Sequence, residues 1–184
     1  MVTTRDEIEL IKNMIEKLKK EMYLKKIPEL GIMIEVPSII YQINEISKFV
    51  DFFSIGTNDL IQYLLAVDRE SSSVNELYSG FQPSVVKMLY QLNKEIIKTG
   101  KKVSVCGELA GNPAGALCLI ALGYKALSIY PSRVPIIKYL CSLFGEVKLD
   151  KIKQSILRLK DKSSIKNMLT KELIDIDPVF SEVE

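Results

Sequence analysis

Apolar side chains at Ile8, Ile11, Ile15, Leu18 and Met22 recur at the spacing of one helical face, with charged residues between them. The spacing predicts an amphipathic helix over about 5–23. Thr4-Arg5-Asp6-Glu7 reads as its capping box: Thr4 can bond the third helical amide and Glu7 can reach back. Ile27-Pro28 closes the segment. Gly31-Ile32-Met33-Ile34 is then a short apolar run, the pattern of a buried strand. The same reading gives helix over 38–49, strand over 51–55 and helix over 60–67. Residues 69–82 are polar and loop-like. Pro83 opens a helix that Gly100 stops, and strand follows over 102–105. Asn112 and Pro113 are the N-cap and first residue of a helix whose closing glycine is Gly123. Strand over 126–129 and helix over 135–144 complete the alternation. Beyond Gly145 the pattern is helical only, near 148–160 and 163–174, and the last ten residues read as a loose tail.

Strand–helix alternation implies an α/β fold with parallel strands joined by right-handed crossovers. Four strands are clear, with a possible strand end at Met1-Val2. A closed (β/α)8 TIM barrel takes about 250 residues. At 184 residues, this chain is expected to supply the C-terminal half of one. The expected division is a partial barrel over 1–145, trailing helices over 146–174 and a tail over 175–184. A half barrel leaves strand edges unpaired and an apolar face uncovered. Self-association, or completion by the other half, is therefore expected.

Composition narrows the function. The chain is 47% hydrophobic and 26% charged, ordinary for a globular protein. A net charge of +2 gives no footprint for nucleic acid or an anionic membrane. No apolar run is long enough to span a bilayer, and no basic-then-apolar leader opens the chain. Three cysteines, an odd number at spacings that fit no zinc site, point to a reducing, cytoplasmic setting. The absence of histidine removes histidine acid–base chemistry, histidine metal ligands and Ser-His-Asp triads. It also means that no phosphohistidine forms on this chain.

Three predicted strands end in polar residues: Glu35, Asn58-Asp59, and Cys106-Gly107-Glu108. In a barrel such ends converge on the catalytic face. Glu35 and Asp59 are then two hard carboxylates facing one cavity, which suits Mg²⁺ with waters and substrate oxygens completing its shell. Each would equally serve as the cap of a following helix. Asn58 could bond a phosphate or carboxylate oxygen, or cap the helix at 60. Arg69 is suited to bidentate phosphate recognition, or is a surface arginine at a helix end. Cys106 could deliver a proton as a general acid, or be a small core residue. Cys118 and Cys141 sit on apolar helical faces and read as core.

Four segments, GIMIEVP at 31–37, VDFFSIGTNDL at 50–60, YLLAVDR at 63–69 and VCGELAGNP at 105–113, resemble in order and spacing the PEP-binding barrel of the PEP-utilising enzymes. That family includes enzyme I of the sugar phosphotransferase system, its nitrogen-related paralogue, pyruvate phosphate dikinase and PEP synthase. LAVDR and the following LY…P segment at 77–83 look like enzyme I. VSVCGELAGNPAGAL and LGYKALSI lean toward the nitrogen-related paralogue. The resemblance implies Glu35 and Asp59 as Mg²⁺ ligands, Asn58 and Arg69 as binders of the PEP phosphate, and Cys106 as the proton donor to the pyruvate enolate. It further implies phosphoryl transfer to a histidine on a separate N-terminal domain, a phosphocarrier protein as downstream partner, and a homodimeric parent protein. The chain departs from the family at Ile61, usually Thr, at Gln82, often His, and at Tyr130-Pro131 after the last strand. The alternatives are an inactive segment serving as a dimerisation or binding module, or part of a dikinase or synthase.

Overall fold

The computed structural model describes residues 1–68 and 75–182. Its elements are α1 (Arg5–Glu21), β1 (Gly31–Ile34), α2 (Ile43–Ile46), β2 (Phe52–Gly56), α3 (Thr57–Leu65), α4 (Pro83–Lys98), β3 (Lys102–Cys106), α5 (Glu108–Gly111), α6 (Pro113–Ala121), β4 (Leu127–Ser128), α7 (Val134–Leu143), α8 (Glu146–Arg158) and α9 (Lys162–Ile176). The four strands form one parallel sheet in the order β1-β2-β3-β4. This is the expected α/β architecture of a partial barrel, each strand followed by helix. Met1-Val2 forms no strand.

The sheet has two unlike faces, because successive strand residues point to opposite sides. Ile32, Ile34, Phe53, Ile55 and Val105 are buried and join the apolar core that also takes in the inner faces of α4 and α6. The other face carries Met33, Ser54, Ser104 and Cys106. Met33 is 41% exposed. A typical barrel fills this interior with bulky branched side chains; serines and a thiol here leave room for polar chemistry.

Several elements differ from their sequence signals. The helix expected over 38–49 is a 3₁₀ stretch, Pro37–Gln42, followed by the single turn of α2. α3 begins at Thr57, three residues before the apolar run that announces it, so Asn58 and Asp59 lie inside its first turn. Acidic and amide groups are favoured there by the unsatisfied N–H groups of the helix start. α5 is a short helix with no counterpart in the sequence pattern. Residues 177–181 are not loose: Pro178–Ser181 is a 3₁₀ turn, Phe180 is buried, and Tyr139 donates to Asp177 Oδ2 at 2.6 Å.

α1 departs most. Of the five apolar positions expected on one helical face, only Ile8 is buried. Ile11, Leu18 and Met22 are exposed, as are Leu10 and Met14. The helix docks through Ile8 and through Arg5, whose guanidinium lies 4.6 Å over the Phe49 ring. Its start is well tied. The Glu7 carboxylate accepts the backbone N–H groups of Thr3 at 2.7 Å and Thr4 at 2.8 Å. Those two N–H groups, with the Thr3 hydroxyl, pull the carboxyl from its ordinary 4.5 to about 2. A depressed folded-state value stabilises the fold above the unfolded value and is lost as pH falls toward 2. The Thr3 and Thr4 amide proton shifts should therefore titrate together with a midpoint near 2 in two-dimensional NMR. A midpoint at the ordinary carboxylate value would show that the carboxylate is not held.

Candidate functional site

The C-terminal ends of β1, β2 and β3 lie side by side, set by the register Ile34↔Ile55 and Gly56↔Cys106. Glu35 is the first residue past β1 and is half-buried. Its side chain leans over Gly56: a Cβ on Gly56 would sit 3.0 Å from Glu35 Cγ and 3.1 Å from Met33 Sδ. The glycine thus makes space for the carboxylate at the mouth of the sheet. Asp59, also half-buried, stands in the first turn of α3 directly after β2. Glu35, Asn58, Asp59 and Cys106 therefore gather at one end of three adjacent strands. Arg69 lies outside the described residues.

Among the described residues no third His, Cys, Asp or Glu joins the two carboxylates to make a metal cluster. Two carboxylates with substrate and water oxygens are nonetheless the donor set that Mg²⁺ takes. Zinc favours nitrogen and sulfur ligands; the chain has no histidine, so Cys106 is the one such donor among the gathered residues. By donor type, the residues present fit magnesium.

Cys106 ends β3 on the open face. Its thiol donates to Ile55 O at 3.3 Å. Its Sγ lies 3.8 Å from Ser54 Oγ, which in turn accepts from Ser104 Oγ at 3.5 Å. The other two cysteines differ. Cys118 is fully buried, and burial pushes its thiol up to about 12. Cys141 is exposed, contrary to the core position expected for it.

Sequence reasoning missed the contacts that bind α3 to the end of β3. Buried Thr57 donates its hydroxyl to Cys106 O at 2.7 Å. The Glu108 backbone N–H donates to Asn58 Oδ1 at 3.1 Å, and Asn58 Nδ2 donates to Glu108 Oε1 at 3.5 Å. Tyr78 donates its hydroxyl to Asn58 O at 3.1 Å. The only local sign is Gly107, whose φ of 108° lies in the region that side chains avoid. A cavity of about 230 Å³ opens beside these residues, lined by Asn58, Gly107, Glu108, Ser128 and Tyr130. A larger cleft of about 750 Å³ lies around α8 and α9, far along the chain from the strand ends. Its Lys148 is paired with Glu172 at 3.0 Å.

Residues 1–144 match the family described as PEP-utilising enzyme, PEP-binding domain. The chain belongs to the PEP-utilising enzyme family. A phosphoenolpyruvate-protein phosphotransferase of Borreliella burgdorferi is 38% identical over 167 residues, covering 88% of this chain and 29% of that protein. A phosphoenolpyruvate-dependent phosphotransferase system protein of Escherichia coli is 34% identical over 174 residues, covering 92% of this chain and 23% of the relative. The corresponding protein of Salmonella typhimurium is 39% identical over 145 residues, covering 76% and 19%. The chain thus spans less than a third of the length of these relatives. Among the described residues no helix is long and apolar enough to cross a membrane. The family's PEP-binding domain ends, by the match, close to the last residue of α7; α8 and α9 follow it.

Proposed function

We propose that this chain forms the PEP- and Mg²⁺-binding part of a phosphoenolpyruvate–protein phosphotransferase, which moves the phosphoryl group of PEP to a histidine and releases pyruvate. The observation that carries the reading is the gathering of Glu35, Asn58, Asp59 and Cys106 at the ends of three adjacent strands in a chain of this family. The acceptor histidine belongs to another segment, since this sequence has none.

Glu35 and Asp59 would hold the magnesium ion. When bound, it supplies positive charge against the phosphoryl oxygens and the developing enolate. Asn58 donates an Nδ2 hydrogen to a phosphate oxygen, and Arg69 offers its two-pronged guanidinium to the same group. As the bond from phosphorus to the enol oxygen breaks, its electron pair stays on that oxygen. Cys106 then gives its thiol proton to C3, completing the pyruvate methyl group and leaving a thiolate. In reverse, the thiolate takes the proton back. Ser54, beside the sulfur, is placed to donate to it while it is charged.

Titration calorimetry of the chain with PEP, with and without Mg²⁺, tests this. Binding that needs magnesium is expected, and it should disappear in the Glu35→Ala/Asp59→Ala chain. No binding by folded wild-type chain would sink the reading. The exposed apolar side chains Leu10, Met14 and Leu18 on α1 favour a second reading, an association module. A folded chain that dimerises in light scattering yet ignores PEP would put that in its place. The same residues would serve a dikinase or synthase, but the names of the relatives favour the phosphotransferase. The lean to the nitrogen-related branch rests on the segments at 103–117 and 122–129 alone.

A further inference from the structure

Asn58 and Glu108 are fifty positions apart in the sequence, yet one holds the other's amide from both ends. The backbone N–H of Glu108 can only donate, so the atom that faces it at 3.1 Å must be the amide oxygen. This fixes the sense of an amide whose two ends otherwise look alike. Nδ2 then points the other way with two hydrogens. One goes to the Glu108 carboxylate at 3.5 Å. Among the described residues the other meets no acceptor and remains for one. The Asn58 backbone is held as well, by the Tyr78 hydroxyl on its carbonyl. Gly107 permits the approach: a Cβ there would fall 2.8 Å from Asn58 Oδ1.

We propose that Glu108 is a positioning residue of this site, which turns the Asn58 amide so that an Nδ2 hydrogen faces a phosphoryl oxygen. The inference rests on the function proposed above. A phosphoryl oxygen near neutral pH accepts hydrogen bonds and is negatively charged. An amide turned the other way would set its own oxygen against that charge. Glu108 removes this wrong orientation chiefly through its backbone N–H on Oδ1, and its carboxylate, 3.5 Å from Nδ2, adds a weaker hold on the other end. Its own charge makes it unsuited to touch the phosphate, so its effect passes through Asn58.

The first test needs no ligand. The Asn58 side-chain amide protons, followed by NMR in ¹⁵N-labelled chain, should shift in Glu108→Ala, which loses the carboxylate but keeps the backbone N–H on Oδ1, and stay in place in Glu108→Gln, whose carbonyl still accepts. Signals indifferent to Glu108→Ala would overturn the clamp whatever PEP does. The second is a double-mutant cycle on PEP affinity in Mg²⁺. Glu108→Ala should weaken binding about twofold, the low end of one hydrogen bond's weight, and Glu108→Gln should leave it unchanged. Combining Glu108→Ala with Asn58→Ala should weaken it no further than Asn58→Ala alone. Losses that multiply would overturn the positioning role and leave the function standing. Unchanged affinity in Asn58→Ala would overturn this role and leave the function standing, and no PEP binding by folded wild type would overturn both.

Discussion

Replacing Gly107 with alanine is expected to lower the unfolding free energy by about 2–4 kcal/mol and to remove the PEP binding proposed for the site. Two costs add. The backbone of Gly107 has φ 108° and ψ 177°, a region open essentially to glycine alone. The added methyl would also sit 2.3 Å from Thr57 Oγ1. Thr57 is fully buried and bonds Cys106 O, so swinging its hydroxyl aside gives up that hydrogen bond. The loop must instead retreat, carrying Glu108 away from Asn58. Urea unfolding followed by circular dichroism measures the first effect and calorimetry the second. A stability change under about 0.5 kcal/mol, within the range of ordinary surface substitutions, would mean that the close approach is absent.

Phe53→Ala should cost more, about 3–5 kcal/mol. Phe53 is fully buried at the centre of the sheet, paired with Ile32 on one side and Val103 on the other. Its ring faces the helices, so its removal leaves a void that a tightly packed layer closes only in part. Against a total stability of about 5–15 kcal/mol, this is enough to unfold a weakly stable chain. Ile55 and Val105 share its face while Cys106 does not, so chain that stays folded should bind PEP as before. The urea midpoint decides it. A loss below about 1.5 kcal/mol, as for a volume-conserving swap, would mean that the outward face is not the packed core.

The strands are legible because a short apolar run between turn signals fits a buried strand and little else. β1 has the bounds its pattern gives, and β2 and β3 lie within a residue of theirs. The sequence places the start of α3 too late because Thr57, Asn58 and Asp59 look like loop residues when no partner is in view. The helix over 38–49 gives way to 3₁₀ geometry after Pro37, where Ile39 and Ile40 crowd the turn. α1 shows the sharper limit. Periodicity reports that a face is apolar, not that anything covers it, and Leu18 is 50% exposed. Of the candidate site, the residues at the strand ends are legible one at a time. The Asn58–Glu108 pairing is not, because it arises only when β2 and β3 come to lie next to each other.

The two-sided sheet has a consequence for how this fold tolerates change. The packed core presses on one face only, whereas Ser54, Ser104 and Cys106 project from the other. A library randomising Ser54, Ser104 and Ser128 would therefore sample new chemistries at little risk to folding. The same number of changes at Ile34, Ile55 and Val105 would return mostly misfolded chains. The sheet keeps its evolvable surface apart from the one it depends on.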